Sequence, residues 1–207
     1  DRYLKSVQAK GSIVYIVSQP SAQELLNNTI AKNAEALASD IAEHTHILLD
    51  NERQLELLRG KVGMLGMYPM ANKTFAKLLW QILKLASEQS SVQTFDSKDL
   101  ENCLRINKRI FLGTTVITDP KIPNLGATIY QNCSKRSPCP VPRGKGKAGA
   151  MLLVATPDMA NDPEISKHLD SAISYVGGRT STLFSGVYVR NKLPGLIAIL
   201  MTSGLEN

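Results

Sequence analysis

With 207 residues and 43% hydrophobic side chains, the chain is too apolar for the disordered class and sized for one ordinary domain or two small ones. Aromatics make up only 5%, so the core must be built mainly from Leu, Ile, Val, Ala and Met. No apolar run approaches the roughly 18–20 residues that cross a bilayer, and the net charge of +6 is confined to one place. Between Cys133 and Gly149 lie Lys135, Arg136, Arg143, Lys145 and Lys147 with no acid, which leaves +1 for everything else. Neither a signal peptide nor an initiating Met is present, so Asp1 reads as the start of an excised domain or a processed chain.

Residues 11–18 are β-branched and aromatic and close on Pro20, which predicts a strand buried on both faces. Ser21 and Glu24 then have the spacing of a capping box, and a helix is expected to start there. From Ser21 to Gly60 apolar residues recur at alternating steps of four and three. Ile30, Leu37, His44, Asn51 and Leu58 form one column, and Ala34, Ile41, Leu48 and Leu55 the other. An unbroken helix of about 39 residues would be roughly 58 Å long. Its seam of Ile30, Leu37, Ile41, His44, Leu48 and Asn51 would then join two copies as a coiled-coil homodimer, with His44 and Asn51 setting register. The alternative is a break at Asp50–Asn51, with a helix hairpin packed on the chain's own sheet.

Residues 61–71 hold Gly63, Gly66 and Pro69 and are expected to be irregular. Met64, Met67 and Met70 there either fill core space or line an adaptable pocket. A second helix is predicted over 72–89, capped by Asn72, with Phe75, Leu78, Leu79, Ile82, Leu83, Leu85 and Ala86 as its apolar stripe and Trp80 off centre. A short helix follows over 96–104, capped by Asp96 or Ser97. Three strands are then expected, over 110–118, 125–131 and 150–156. Asp162-Pro163-Glu164 starts a helix that stops at Gly177-Gly178. Two closing strands, 183–190 and 195–202, read as an antiparallel hairpin.

The fold class expected is therefore α+β: one domain over 1–207, mainly helical over 1–106, with an antiparallel or mixed sheet and one helix over 107–207. The alternation of a doubly wound parallel sheet is not evident.

Phosphate-loop, zinc-protease, nucleophile-elbow and dinucleotide fingerprints are all missing. Gly144-Lys145-Gly146 opens into a strand and offers no helix N-terminus to a phosphate. Lys135, Arg136, Arg143, Lys145 and Lys147 are the candidate anion or ligand site, against the simpler reading of a solvated loop. Their expected partner is an anionic small molecule or surface. Nucleic acid fits less well, because only Tyr130 stands near as a stacking residue. Glu43, His46 and Asp50 share a face if helical, and a solvated polar face accounts for them better than a metal. No metal or cofactor is assigned. No catalytic residue is nominated either: His168 has no evident partner, and Cys103 lacks a His base.

Cys133 and Cys139 enclose a loop that a disulfide closes easily, leaving Cys103 over. An exported location, periplasmic or extracellular, follows from that bridge, with the cytoplasm as the alternative. The functional reading is a non-enzymatic ligand-binding or sensory domain that signals through its long helix. Two alternatives stand beside it: a module binding nucleic acid or an anionic surface through 135–147, and a structural subunit of a larger assembly.

Overall fold

A computed structural model describes residues 13–206. The predicted strand begins two residues outside that range, and within it β1 is Tyr15–Gln19. The rest of the order is α1 (Asn28–Ile41), β2 (Thr45–Asp50), α2 (Asn51–Leu58), α3 (Met67–Ala86), α4 (Ser97–Leu104), β3 (Lys108–Ile117), α5 (Leu125–Arg136), β4 (Gly146–Ala155), α6 (Pro157–Asn161), α7 (Pro163–Gly177), β5 (Thr180–Val189) and β6 (Leu196–Leu205). Single 3-10 turns occupy Glu24–Leu26 and Met64–Gly66.

All six strands form one mixed sheet in the order β1-β2-β3-β6-β4-β5. The pairs β1–β2, β2–β3 and β4–β5 are parallel, and β6 runs antiparallel to both β3 and β4. Helices cover both faces. Ile110 and Leu112 of β3 meet Leu79 and Ile82 of α3 and Leu100 and Leu104 of α4. On the opposite face Gly113 sits under α5: a Cβ added there would lie 2.9 Å from Cys133 Cβ. The architecture is thus mixed α/β, with seven α-helices among the described residues. The expected division into a helical half and a β half is corrected, since β1 and β2 both fall before residue 106.

The long helix is the main correction. Its middle is β2, in which Thr45 to Leu49 are buried without interruption. A strand with neighbours on both sides and cover on both faces needs such a continuous apolar run, and that run coincided with the heptad columns. The Ser21–Glu24 box does form, the amide of Ser21 donating to Glu24 Oε2 at 2.7 Å and the amide of Glu24 to Ser21 Oγ at 3.4 Å. It opens only a 3-10 turn, and α1 starts later on Asn27, whose Oδ1 accepts from the amides of Thr29 and Ile30. The coiled-coil seam is dispersed. Ile30, Leu37 and Ile41 are on α1, His44 is in a turn, Leu48 is in β2 and Asn51 opens α2.

Three further expectations change. Residues 125–131 are helical, because Leu125, Ile129 and Cys133 are buried at steps of four, and Lys135 and Arg136 suit the negative end of the helix dipole. Helix α3 starts five residues before Asn72. Pro69 is tolerated in its first turn, where no amide is needed, and Met67 and Met70 lie in the helix. Strands β5 and β6 do not pair with each other. Strand β6 is buried at nine of its ten positions and takes the centre of the sheet, while β5 takes the edge.

Two helix starts agree with the sequence reading. Helix α4 carries a capping box between Asp96 and Asp99, and α7 starts on Asp162 with Pro163 in its first turn. Of the expected stripe, Phe75, Leu78, Ile82, Leu85 and Ala86 are buried and Leu79 is half-buried, while Leu83 is 54% exposed; Trp80 is 66% exposed. Among the described residues no helix is long and apolar enough to cross a membrane.

Candidate functional site

In open α/β sheets ligands gather at the carboxyl ends of parallel strands, where backbone and following helix starts diverge into a crevice. The parallel pair β1–β2 makes such an edge here. Its strands run in register from Tyr15↔His46 to Gln19↔Asp50 and end together. After β1 the chain turns at Pro20 and Ser21; after β2 it enters α2 directly. Asp50 is the cap of α2, its Oδ1 accepting from the amide of Arg53 at 3.0 Å. Glu52 links the two turns, with Oε2 accepting from the amide of Ala22 at 3.3 Å. Hydrogen bonds from Ser21 hold the Glu24 carboxyl below its ordinary range.

Arg53 fixes α2 against α5. Its Nε donates to Ser137 O at 2.6 Å and its Nη2 to Ser134 O, both carbonyls at the end of α5. The amide of Asp50 donates to Pro138 O at 2.9 Å. The strand end is therefore tied to the segment that follows α5 by backbone and guanidinium alike.

Behind this edge, between the sheet and α1, lies a cavity of about 500 Å³. Leu37, Ala38 and Ile41 of α1 face Val17 of β1 and Leu48 of β2 across it, and Asp50 and Glu52 stand at the strand-end side. Its floor carries two buried polar side chains, His46 and Arg109, at matching positions of β2 and β3. Three residues of the expected dimer seam, Leu37, Ile41 and Leu48, thus face this cavity within one chain.

A second cavity of about 330 Å³ shares the walls Asp50, Arg109 and Pro140 and adds Arg53, Val141 and Arg143. The five cations expected to act together do not share one loop. Lys135 and Arg136 end α5, Arg143 and Lys145 lie in the loop, and Lys147 is exposed on β4. Arg136 borders a separate small cavity between α2 and α3. Arg143 alone of the five lines the 330 Å³ cavity, where Arg53 and Arg109 replace the others. Sequence reasoning missed both. Arg109 gave one usable signal, a charge placed just before a β-branched run.

Cys133 and Cys139 are free, as is Cys103, and all three are buried, so the expected disulfide is corrected. Burial pushes the Cys103 and Cys133 thiols up to about 12, which makes them inert packing groups. Glu43, His46 and Asp50 lose their common helical face, since Glu43 is in a turn and the others are in β2. Among the described residues no cluster of three potential metal ligands occurs.

No protein-family model matches the chain, and no curated protein matches it. Solved structures do. A GTPγS-form protofilament of TubZ from Bacillus thuringiensis serovar israelensis superposes with a TM-score of 0.80 at 14% identity, covering 100% of this chain and 56% of that one. The GTPγS-bound protofilament of CetZ2 from Haloferax volcanii gives 0.75 at 17%, covering 97% and 58%. An FtsZ dimer from M. jannaschii gives 0.66 at 14%, covering 91% and 53%. The chain therefore spans a little over half the length of these structures. The likeness overturns the sensory and signalling expectation, whose helix is also broken, and with it the extracytoplasmic location inferred from a bridge that is not there. At these identities it shows the fold, and the fold is that of the tubulin-like TubZ, CetZ and FtsZ structures.

Proposed function

We propose that the chain is part of a filament-forming subunit that binds a guanine nucleotide at the carboxyl edge of β1 and β2. The observation that carries this is the TM-score of 0.80 over 100% of the chain to a TubZ protofilament in its GTPγS form. A CetZ1 monomer from Haloferax volcanii, bound to GDP, matches at 0.71 over 99%. The edge chemistry supports a division of labour. Asp50 and Glu52 are carboxylates, which accept from base N–H groups and ribose hydroxyls and repel phosphates. The base and sugar are therefore assigned to this edge. The phosphates are assigned to the remainder of the subunit, since this chain has no glycine-rich loop opening a helix.

Self-association is assigned to repeated head-to-tail contacts, which generate open filaments when the rotation does not close. A helix seam has no place in it. Residues 1–207 are read as one folding unit, supported by a core cluster that runs from Ile47 to Leu205. Sedimentation of the full-length protein with GTP, with GDP and without nucleotide tests the proposal. Pelleting that depends on GTP is expected. Pelleting that ignores nucleotide favours a structural subunit without a nucleotide site. A protein that stays soluble and binds no guanine nucleotide overturns the proposal.

A further inference from the structure

Helix α1 covers the sheet only partly, and the 500 Å³ beneath it is larger than packing defects normally are. Its walls are two-sided in character. Ala34, Leu37, Ala38 and Ile41 from α1 oppose Val17 and Leu48 from the sheet. The floor is polar and buried: His46 is 0% exposed and Arg109 is 6% exposed.

Both floor residues have a nitrogen without a partner. His46 Nδ1 donates to His44 O at 2.8 Å, and its Nε2 has none. Arg109 Nη2 donates to Glu206 O at 3.2 Å, and its Nε has none. With Nδ1 donating, Nε2 of a neutral His46 ring is an acceptor. Arg109 Nε is the unmet donor on a charged group, which is costly and is normally met by an ion or a ligand. Burial, with Arg143 adding to it, holds Arg109 below the usual guanidinium range, a cost that an anion would offset.

The cations gather at one end. The larger cavity has Arg109 against Asp50 and Glu52, and the adjoining one adds Arg53 and Arg143 beside the same Arg109, so the anion is favoured where the two cavities meet. Both carboxylates are engaged by backbone amides, Asp50 by Arg53 and Glu52 by Ala22. Arg53 is engaged by Ser134 and Ser137. Arg109 Nε and Arg143 remain available. The combined space suits a compact ligand, since small-molecule sites run from roughly 300 to 1,000 Å³.

We propose that the space between α1 and the sheet binds a small amphipathic anion, its head on Arg109 between His46 and Arg143 and its apolar body along α1. This is distinct from the filament reading: the head is placed at the starts of β2 and β3, whereas the nucleotide edge is at the end of β2, and the two share only Asp50 and Glu52 on the cavity wall.

The test is a titration of the full-length protein followed by calorimetry and thermal shift. Octanoate and octyl phosphate carry the anionic head with a carboxyl or a phosphoryl group, octanol has the body alone, and inorganic phosphate the head alone. Saturable binding of octanoate or octyl phosphate is expected, and the tighter of the two identifies the head. Arg109→Met should weaken it about 10- to 100-fold, the size of a charge-assisted hydrogen bond. Ala34→Phe, on a half-buried helix position, fills the apolar side without touching the floor and should weaken both probes while leaving the fold intact. Octanol binding as tightly as octanoate overturns the anionic head. Binding that both variants leave unchanged overturns the location. Displacement by GDP overturns the separation from the nucleotide edge, and no saturation below about 1 mM overturns the site.

Discussion

The hydroxyl of Tyr188 donates to Leu85 O at 2.8 Å, 103 residues away, and is itself an acceptor for the amide of Phe95 at 3.2 Å. Tyr188 is on β5 and 1% exposed, Leu85 is at the end of α3, and Phe95 precedes α4. One buried oxygen therefore joins the edge strand to the connection between two helices. Tyr188→Phe keeps the ring and leaves a carbonyl and an amide unsatisfied, so a loss of about 1–3 kcal/mol is expected. Urea denaturation of the pair measures it, and an unchanged midpoint would show that water replaces the hydroxyl.

Gly113 of β3 is a place where α5 comes close to the sheet. An added methyl would meet Cys133 Cβ and Cys133 O, each at 2.9 Å. Gly113→Ala should cost about 1–3 kcal/mol by overpacking. The two positions touch, so their effects should not add. Gly113→Ala with Cys133→Ala should still clash with the backbone oxygen, and Cys133→Gly should recover no more than part of the loss. Denaturation of the single and double variants reads this directly.

Lys121 Nζ lies 2.8 Å from Asp162 Oδ2 and 2.8 Å from Glu164 Oε2, joining the turn after β3 to the start of α7. Lys121, and then the amides of Glu164 and Ile165, hold the Asp162 carboxyl below its ordinary range. A folded-state value below the unfolded one, about 3.9, gives stability that is complete above that pH and lost as pH falls through the folded value. The difference in urea midpoint between wild type and Lys121→Met should be flat from pH 5 to 8 and shrink below about pH 4. A difference that persists unchanged at pH 2 would assign the effect of Lys121 to packing.

Cys103, Cys133 and Cys139 are at most 1% exposed. A thiol reagent should find none of the three in the native protein at pH 8 and all three in denaturant. A mass difference of two hydrogens between reduced and unreduced protein would restore the Cys133–Cys139 bridge.

Local signals were legible where several of them agreed. The cap, proline and acid of Asp162-Pro163-Glu164 fixed the start of α7, and Asp96 fixed that of α4. They failed where tertiary context decides. Thr45 to Leu49 reads as helix on heptad spacing because an apolar run of that length suits either element, and only neighbours on both sides make it a strand. Residues 125–131 gave the reverse error, since the packing of Ile129 and Cys133 against β3 is not written in their own stretch. The site was least legible. His46 read as part of a solvated face and Arg109 lay just outside the strand expected over 110–118, because their meeting depends on the β2–β3 register, 63 positions apart.

Strand β6 follows the other five in sequence yet sits third from one edge of the sheet, between β3 and β4. Until Leu196–Leu205 leaves the ribosome, β1-β2-β3 and β4-β5 are two strand groups with open flanks and no backbone pairing between them. A nascent chain stalled before Leu196 would expose the inner edges of both, and such edges recruit other strands.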